Sequence, residues 1–99
     1  MTRTLDEKRA LLQFYADEAR DIQALLESKT VQTFFAQTRS QHIEAMIACK
    51  PTDDDGRRGL ALSIAALDGL HLQMKNTHGR GARAVVELQK LKDDSRNGN

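Results

Sequence analysis

Three histidines, one cysteine and a run of three aspartates are the residues through which this chain could do chemistry. A helical zinc site needs His, Cys or carboxylate ligands at i, i+3 or i, i+4, where side chains share a face. His42, His71 and His78 offer one such pair, His71 with Asp68, and two ligands do not make a site. Asp53, Asp54 and Asp55 supply the carboxylates used for magnesium or acid–base work. Three consecutive residues fan out around a helix instead of converging, and they follow Thr52, so the run reads as the acidic first turn of a helix capped by Thr52. Cys49 has no cysteine to pair with and reads as a small apolar residue. There is no Gly-rich phosphate loop and no nucleophile elbow. The sequence therefore predicts no catalytic residue, no metal and no cofactor, and it argues against an enzyme.

The basic residues are the remaining chemical feature. Arg57 and Arg58 adjoin the acidic run. Further on, Arg80, Arg83, Lys90, Lys92 and Arg96 face only Glu87, Asp93 and Asp94. A basic tail is a phosphate-binding device, and Arg57, Arg58, Arg80 and Arg83 are the candidate nucleic-acid contacts. Against that, the formal net charge is only +1, there is no Trp, and no aromatic ring lies near the tail on which a base could stack.

Ninety-nine residues make one domain at most, with a core that must be economical or shared. Hydrophobic residues are 39% and charged residues 29%, and no stretch nears the roughly 20 apolar residues that span a bilayer, which predicts a soluble chain. The N-terminus has mixed charge and no apolar core of a secretory signal.

The apolar spacing predicts helices throughout. Leu5, Leu12, Tyr15, Ala19, Ile22 and Leu26 follow a coiled-coil rhythm that makes 4–27 one long helix, with Thr4 as N-cap and Glu7 three residues on. Leu11, Phe14 and Leu25 widen that seam into a stripe broader than one neighbour covers. A break is expected at Glu27 to Thr30, where Ser28 or Thr30 can cap a second helix carrying Val31, Phe34, Phe35, Ile43, Met46 and Ile47. Pro51 stops it. A third helix from Thr52 to about Lys75 and Asn76 carries Leu60, Ile64, Leu67 and His71 on one stripe. The short turn makes helices two and three an antiparallel hairpin over 28–75. Gly59 reads as a close approach to helix two. Thr77 to Gly81 reads as too glycine-rich to be helical, with a short fourth helix over 82–92 and a disordered end from Asp93. The fold class is thus all-α: a long N-terminal helix plus a helical hairpin in a domain over 1–76, then a glycine-divided, flexible basic tail over 77–99.

Adjacent residues on a helix diverge by about 100°, so Phe34 and Phe35 cannot share a narrow seam. One is expected in the hairpin core and the other toward helix one or another subunit. Tyr15, Ile22, Phe34, Phe35, Met46 and Met74 are the expected partner-interface residues.

The stretch LLESKTVQTFFAQTRSQHIEAMIACKPTDDDGRRGLALSIAALDGL resembles small proteins encoded in the morphogenesis regions of tailed bacteriophages. The likeness rests on Leu25 and Leu26, on Ser28 followed by Val31 and Phe34, and on an amphipathic helix over 31–49. It continues with the turn from Pro51 to Asp55, the Arg58-Gly59 step and the helix from Leu60 to Leu70. The resemblance implies a virion or assembly component of the head, portal or neck, found in the virion or the host cytoplasm. Its partners would be other virion proteins or further copies of itself on a symmetric particle. The alternatives are a DNA-binding helper, such as a small packaging subunit or regulator, and a small inhibitor of a host protein.

Overall fold

A computed structural model describes residues 4–97, and within them the chain forms three helices and no strand. They are α1 (Leu5–Glu27), α2 (Lys29–Ala48) and α3 (Asp54–Asn97). Each boundary has a local cause. At the start of α1 the backbone N–H of Glu7 donates to Thr4 Oγ1 at 3.1 Å, which satisfies one of the amides a helix leaves unpaired.

Only Ser28 separates α1 from α2, and its backbone is extended (φ −68°, ψ 121°). Its hydroxyl accepts from the Val31 N–H at 3.3 Å, so one side chain ends one helix and caps the next. Gln32 Nε2 donates to the Leu26 carbonyl at 2.8 Å and occupies an acceptor left over at the C-terminus of α1.

The turn between α2 and α3 is held by a side chain the sequence assigned elsewhere. Arg57, a candidate nucleic-acid contact, donates to the Lys50 carbonyl at 2.7 Å and the Pro51 carbonyl at 3.0 Å, and pairs with Asp54. The expected cap Thr52 lies in the turn instead. Asp53 is the cap: its Oδ1 accepts from the Gly56 N–H at 2.9 Å. A Cβ at Gly56 would meet the Asp53 carboxylate, with Cγ at 2.7 Å, so the capping side chain would have to shift to make room for one. Asp54 and Asp55 then occupy the first turn, where the helix dipole favours them.

Three sequence expectations are corrected along α3. The helix does not end near Lys75 and Asn76 but continues through Thr77 to Gly81, so 82–92 is no separate helix, and 93–97 are helical as well. Residues 98 and 99 of the expected disordered end lie outside the described residues. The reason is at Gly81. A Cβ there would collide with the Ala19 side chain and sit 2.5 Å from the Tyr15 carbonyl oxygen. Glycine in a helix costs about 1 kcal/mol relative to alanine, and here close approach to α1 offsets it. Ala16, Ala19 and Ala84, the last only 2% exposed, are the buried hydrophobic residues around that crossing. Gly59, by contrast, makes no close approach, since a Cβ there would meet nothing within 4 Å.

The chain divides into two compact units. One holds residues 26–74, which is close to the expected hairpin, with α2 antiparallel to the first half of α3. Phe35 lies against His71 and Arg39 against Asp68, so the sequence numbers rise on one helix as they fall on the other. The other unit holds α1 up to Leu25 with α3 from Lys75 onward.

Candidate interaction faces

In the unit of residues 26–74 the contact between α2 and α3 is made by side chains of substantial size. Phe35 stacks on the His71 ring at 4.8 Å between centroids and 13° between planes. Beside it, Arg39 grips Asp68 with Nε at 3.0 Å from Oδ1 and Nη2 at 3.3 Å from Oδ2, a forked pair. The one His and Asp pair with ligand spacing is therefore occupied by packing and ion pairing. His42 is likewise engaged, its Nδ1 donating to the Thr38 carbonyl at 2.8 Å. Cys49 caps α2, its N–H donating to the Met46 carbonyl at 3.2 Å.

Among the described residues no group of three or more His, Cys, Asp or Glu stands ready for a metal ion. No helix among them is long and apolar enough to cross a membrane.

The two phenylalanines separate as their spacing dictates. Phe35 turns toward α3, and Phe34 points outward, 62% exposed, with its ring edge-on to Phe35 at 6.2 Å. Met46 and Met74 are half-buried. The larger unburied surface lies at residues that the sequence reading did not single out as interface: Ile47 on α2, and Leu62, Leu70 and Leu72 on α3. A signal for them existed. From Leu60 to Met74 Asp68 is the sole charged residue, and a helix apolar on all sides needs cover on all sides.

In the other unit the helices meet through small residues. Ala16 and Ala19 of α1 face Gly81 across the crossing and line, with His78 and Val85, a cleft of about 320 Å³. The Arg80 guanidinium lies 4.2 Å from the Tyr15 ring centre, and its Nη2 is 2.6 Å from Glu18 Oε1. Arg80, a second candidate nucleic-acid contact, is thus engaged within its own unit, and Tyr15 is half-buried beneath it. Ile22 is half-buried, while Phe14, Leu25, Val85 and Val86 are exposed. Arg58 and Arg83 are exposed on α3. A separate cleft of about 600 Å³ collects Arg9, Lys92 and Arg96 with Gln13, Leu88 and Ser95.

No family model, no curated protein and no solved structure matches the chain. The faces themselves carry the functional reading.

Proposed function

We propose that this chain is a non-enzymatic structural or assembly protein that works by docking its helical faces on other proteins. The observation that carries the reading is apolar surface left open on both units: Phe14, Phe34, Ile47, Leu62, Leu70, Leu72, Val85 and Val86 are all more than half exposed. Scattered apolar residues are ordinary on protein surfaces, but this many, where the buried hydrophobic residues among the described ones are three alanines, point to faces that are covered in use.

A place in the head, portal or neck of a tailed-phage virion rests on the sequence resemblance alone. Mass spectrometry of purified virions from the source tests it. The protein is expected at a fixed copy number per particle. Its absence from both virions and assembly intermediates would remove the virion role.

A DNA-binding helper is the second reading, and it is favoured by one observation: Arg9, Lys92 and Arg96 converge on one cleft. Phosphate contacts there would give a mobility shift on duplex DNA that weakens steeply with salt. No shift at low salt ends that reading.

A further inference from the structure

We infer that the cleft between the start of α1 and the end of α3 binds a compact polyanion carrying two or more linked phosphate groups. The inference goes beyond the docking reading, and it gives to a small ligand the cleft that the DNA reading would lay on a duplex.

In this unit α1 and α3 meet along a regular seam. Ala19, Ala16 and Leu12 descend α1 at steps of three and four while Gly81, Ala84, Leu88 and Leu91 ascend α3, and every one of them is buried or half-buried. The next step of that spacing falls on Arg9 in α1 and on Ser95 in α3. Arg9, half-buried, and Ser95 line the cleft together with Lys92 and Arg96, and Gln13 and Leu88 complete it. Continued packing would call for apolar residues at this end of the seam. Three cations stand there instead and repel one another, and Lys92 and Arg96, one turn apart, are a like-charge pair that weakens their own helix.

Nothing in the unit offsets that cost. Among the described residues Arg20, Arg39, Arg57 and Arg80 each have a carboxylate partner, whereas Arg9, Lys92 and Arg96 have none. No acidic side chain lines the cleft, and Asp93, next to Lys92, is held by Gln89, whose Nε2 donates to it at 3.0 Å. Two guanidinium forks, an ammonium and a hydroxyl suit phosphate oxygens. Linked phosphates also concentrate more negative charge in a short span than carboxylates on separate side chains do. The size points to a compact ligand: about 600 Å³ lies within the roughly 300–1,000 Å³ of small-molecule sites. A duplex would engage cations strung along one face. Arg83 and Lys90, the other exposed basic residues of this half of α3, lie about half a turn around the helix from Lys92, so a duplex on the cleft would not meet them.

The test is calorimetric titration of the full chain with inorganic tripolyphosphate at low salt. One-to-one binding that saturates below about 1 mM is expected. Lys92→Gln and Arg96→Gln should each weaken it about tenfold, the worth of one charged hydrogen bond, and Arg9→Gln, from the other helix, should do the same. The control is the double variant Arg83→Gln with Lys90→Gln, which removes charge from the opposite side of the same helix and should leave affinity within about twofold. Lys92, Arg96, Arg83 and Lys90 are exposed, so their variants should keep full helicity by circular dichroism.

No binding, binding that needs more than about 10 mM, or binding that the control weakens as much as Lys92→Gln with Arg96→Gln overturns the inference. A short polyglutamate peptide that binds as tightly as tripolyphosphate overturns it too. A mobility shift on duplex DNA separates the DNA reading. If tripolyphosphate binds by these criteria and no duplex shifts at low salt, the site stands and the DNA reading fails. If a duplex shifts, the cleft variants abolish the shift and tripolyphosphate does not bind, the DNA reading stands and this inference fails.

Discussion

Gly81 and Gly69 lie twelve residues apart on one helix and have opposite surroundings. At Gly81 the absent Cβ makes room for the neighbouring helix, and Ala84 one turn on is nearly inaccessible. At Gly69 the absent Cβ leaves empty space. A helical glycine is therefore no guide to a break by itself. What decides is whether something approaches the missing side chain, and in this chain one glycine is answered from within while the other is not.

The largest expected effect breaks the covered side of that comparison. Gly81→Leu drives four carbons into Ala19 and the Tyr15 carbonyl, and neither backbone can yield without losing hydrogen bonds of its own helix. Overpacking of this kind costs about 1–3 kcal/mol, occasionally more, and a small core has little else to absorb it. Urea unfolding followed by circular dichroism should show the midpoint falling sharply. A variant as stable as wild type would mean that α1 and α3 do not cross closely at this point.

Gly69→Ala is the matched change on the open side. It should be stabilised by up to about 1 kcal/mol, because alanine removes the backbone-entropy cost and meets no neighbour. Gly59→Ala should behave likewise, since its surroundings are equally open. A loss of stability at either site would show that the glycine is answered after all.

The contrast also shows what the sequence could reveal. Periodicity and caps located α1, the break at Ser28 and the hairpin to within a few residues, because those features depend on local preferences that each residue carries with it. The Phe34 and Phe35 divergence was legible for the same reason, being fixed by the 100° step of the helix. Gly81 was not legible. Its helical state depends on Ala19 and Tyr15, sixty residues away, and composition within Thr77 to Gly81 points the other way. The partners of Arg57 and Arg80 within the chain were not legible for a related cause. Charge suggested phosphate, but the acceptors that hold them are the Lys50 and Pro51 carbonyls in one case and Glu18 in the other. Thr52 and Asp53 are both good caps by type, and only the backbone path through Pro51 selects Asp53.

A change of intermediate size tests that selection. Asp53→Ala should destabilise by about 1 kcal/mol, the usual worth of an N-cap, and Thr52→Ala by much less. Equal losses would return the cap to Thr52.

The smallest effects distinguish how the two units are held. Arg39 with Asp68 and Arg80 with Glu18 are each partly exposed ion pairs, with side-chain exposures of 48% and 49% for the first and 45% and 34% for the second. Pairs of that exposure are worth a few tenths to about 1 kcal/mol, and less in high salt. They differ in what else the arginine touches. Arg39 offers Asp68 a forked geometry. Arg80 adds the face of Tyr15 at 4.2 Å, an attraction to the ring that screening by salt reduces less than the exposed charge pair. Arg39→Ala should therefore lose most of its effect in 1 M salt, whereas Arg80→Ala should keep a residue of its effect that disappears in a Tyr15→Leu background. Double-mutant cycles at low and high salt measure both. If the Arg80 effect vanished in salt with Tyr15 intact, the ring contact would contribute nothing, and each unit would be held internally by the same kind of exposed charge pair laid over different packing.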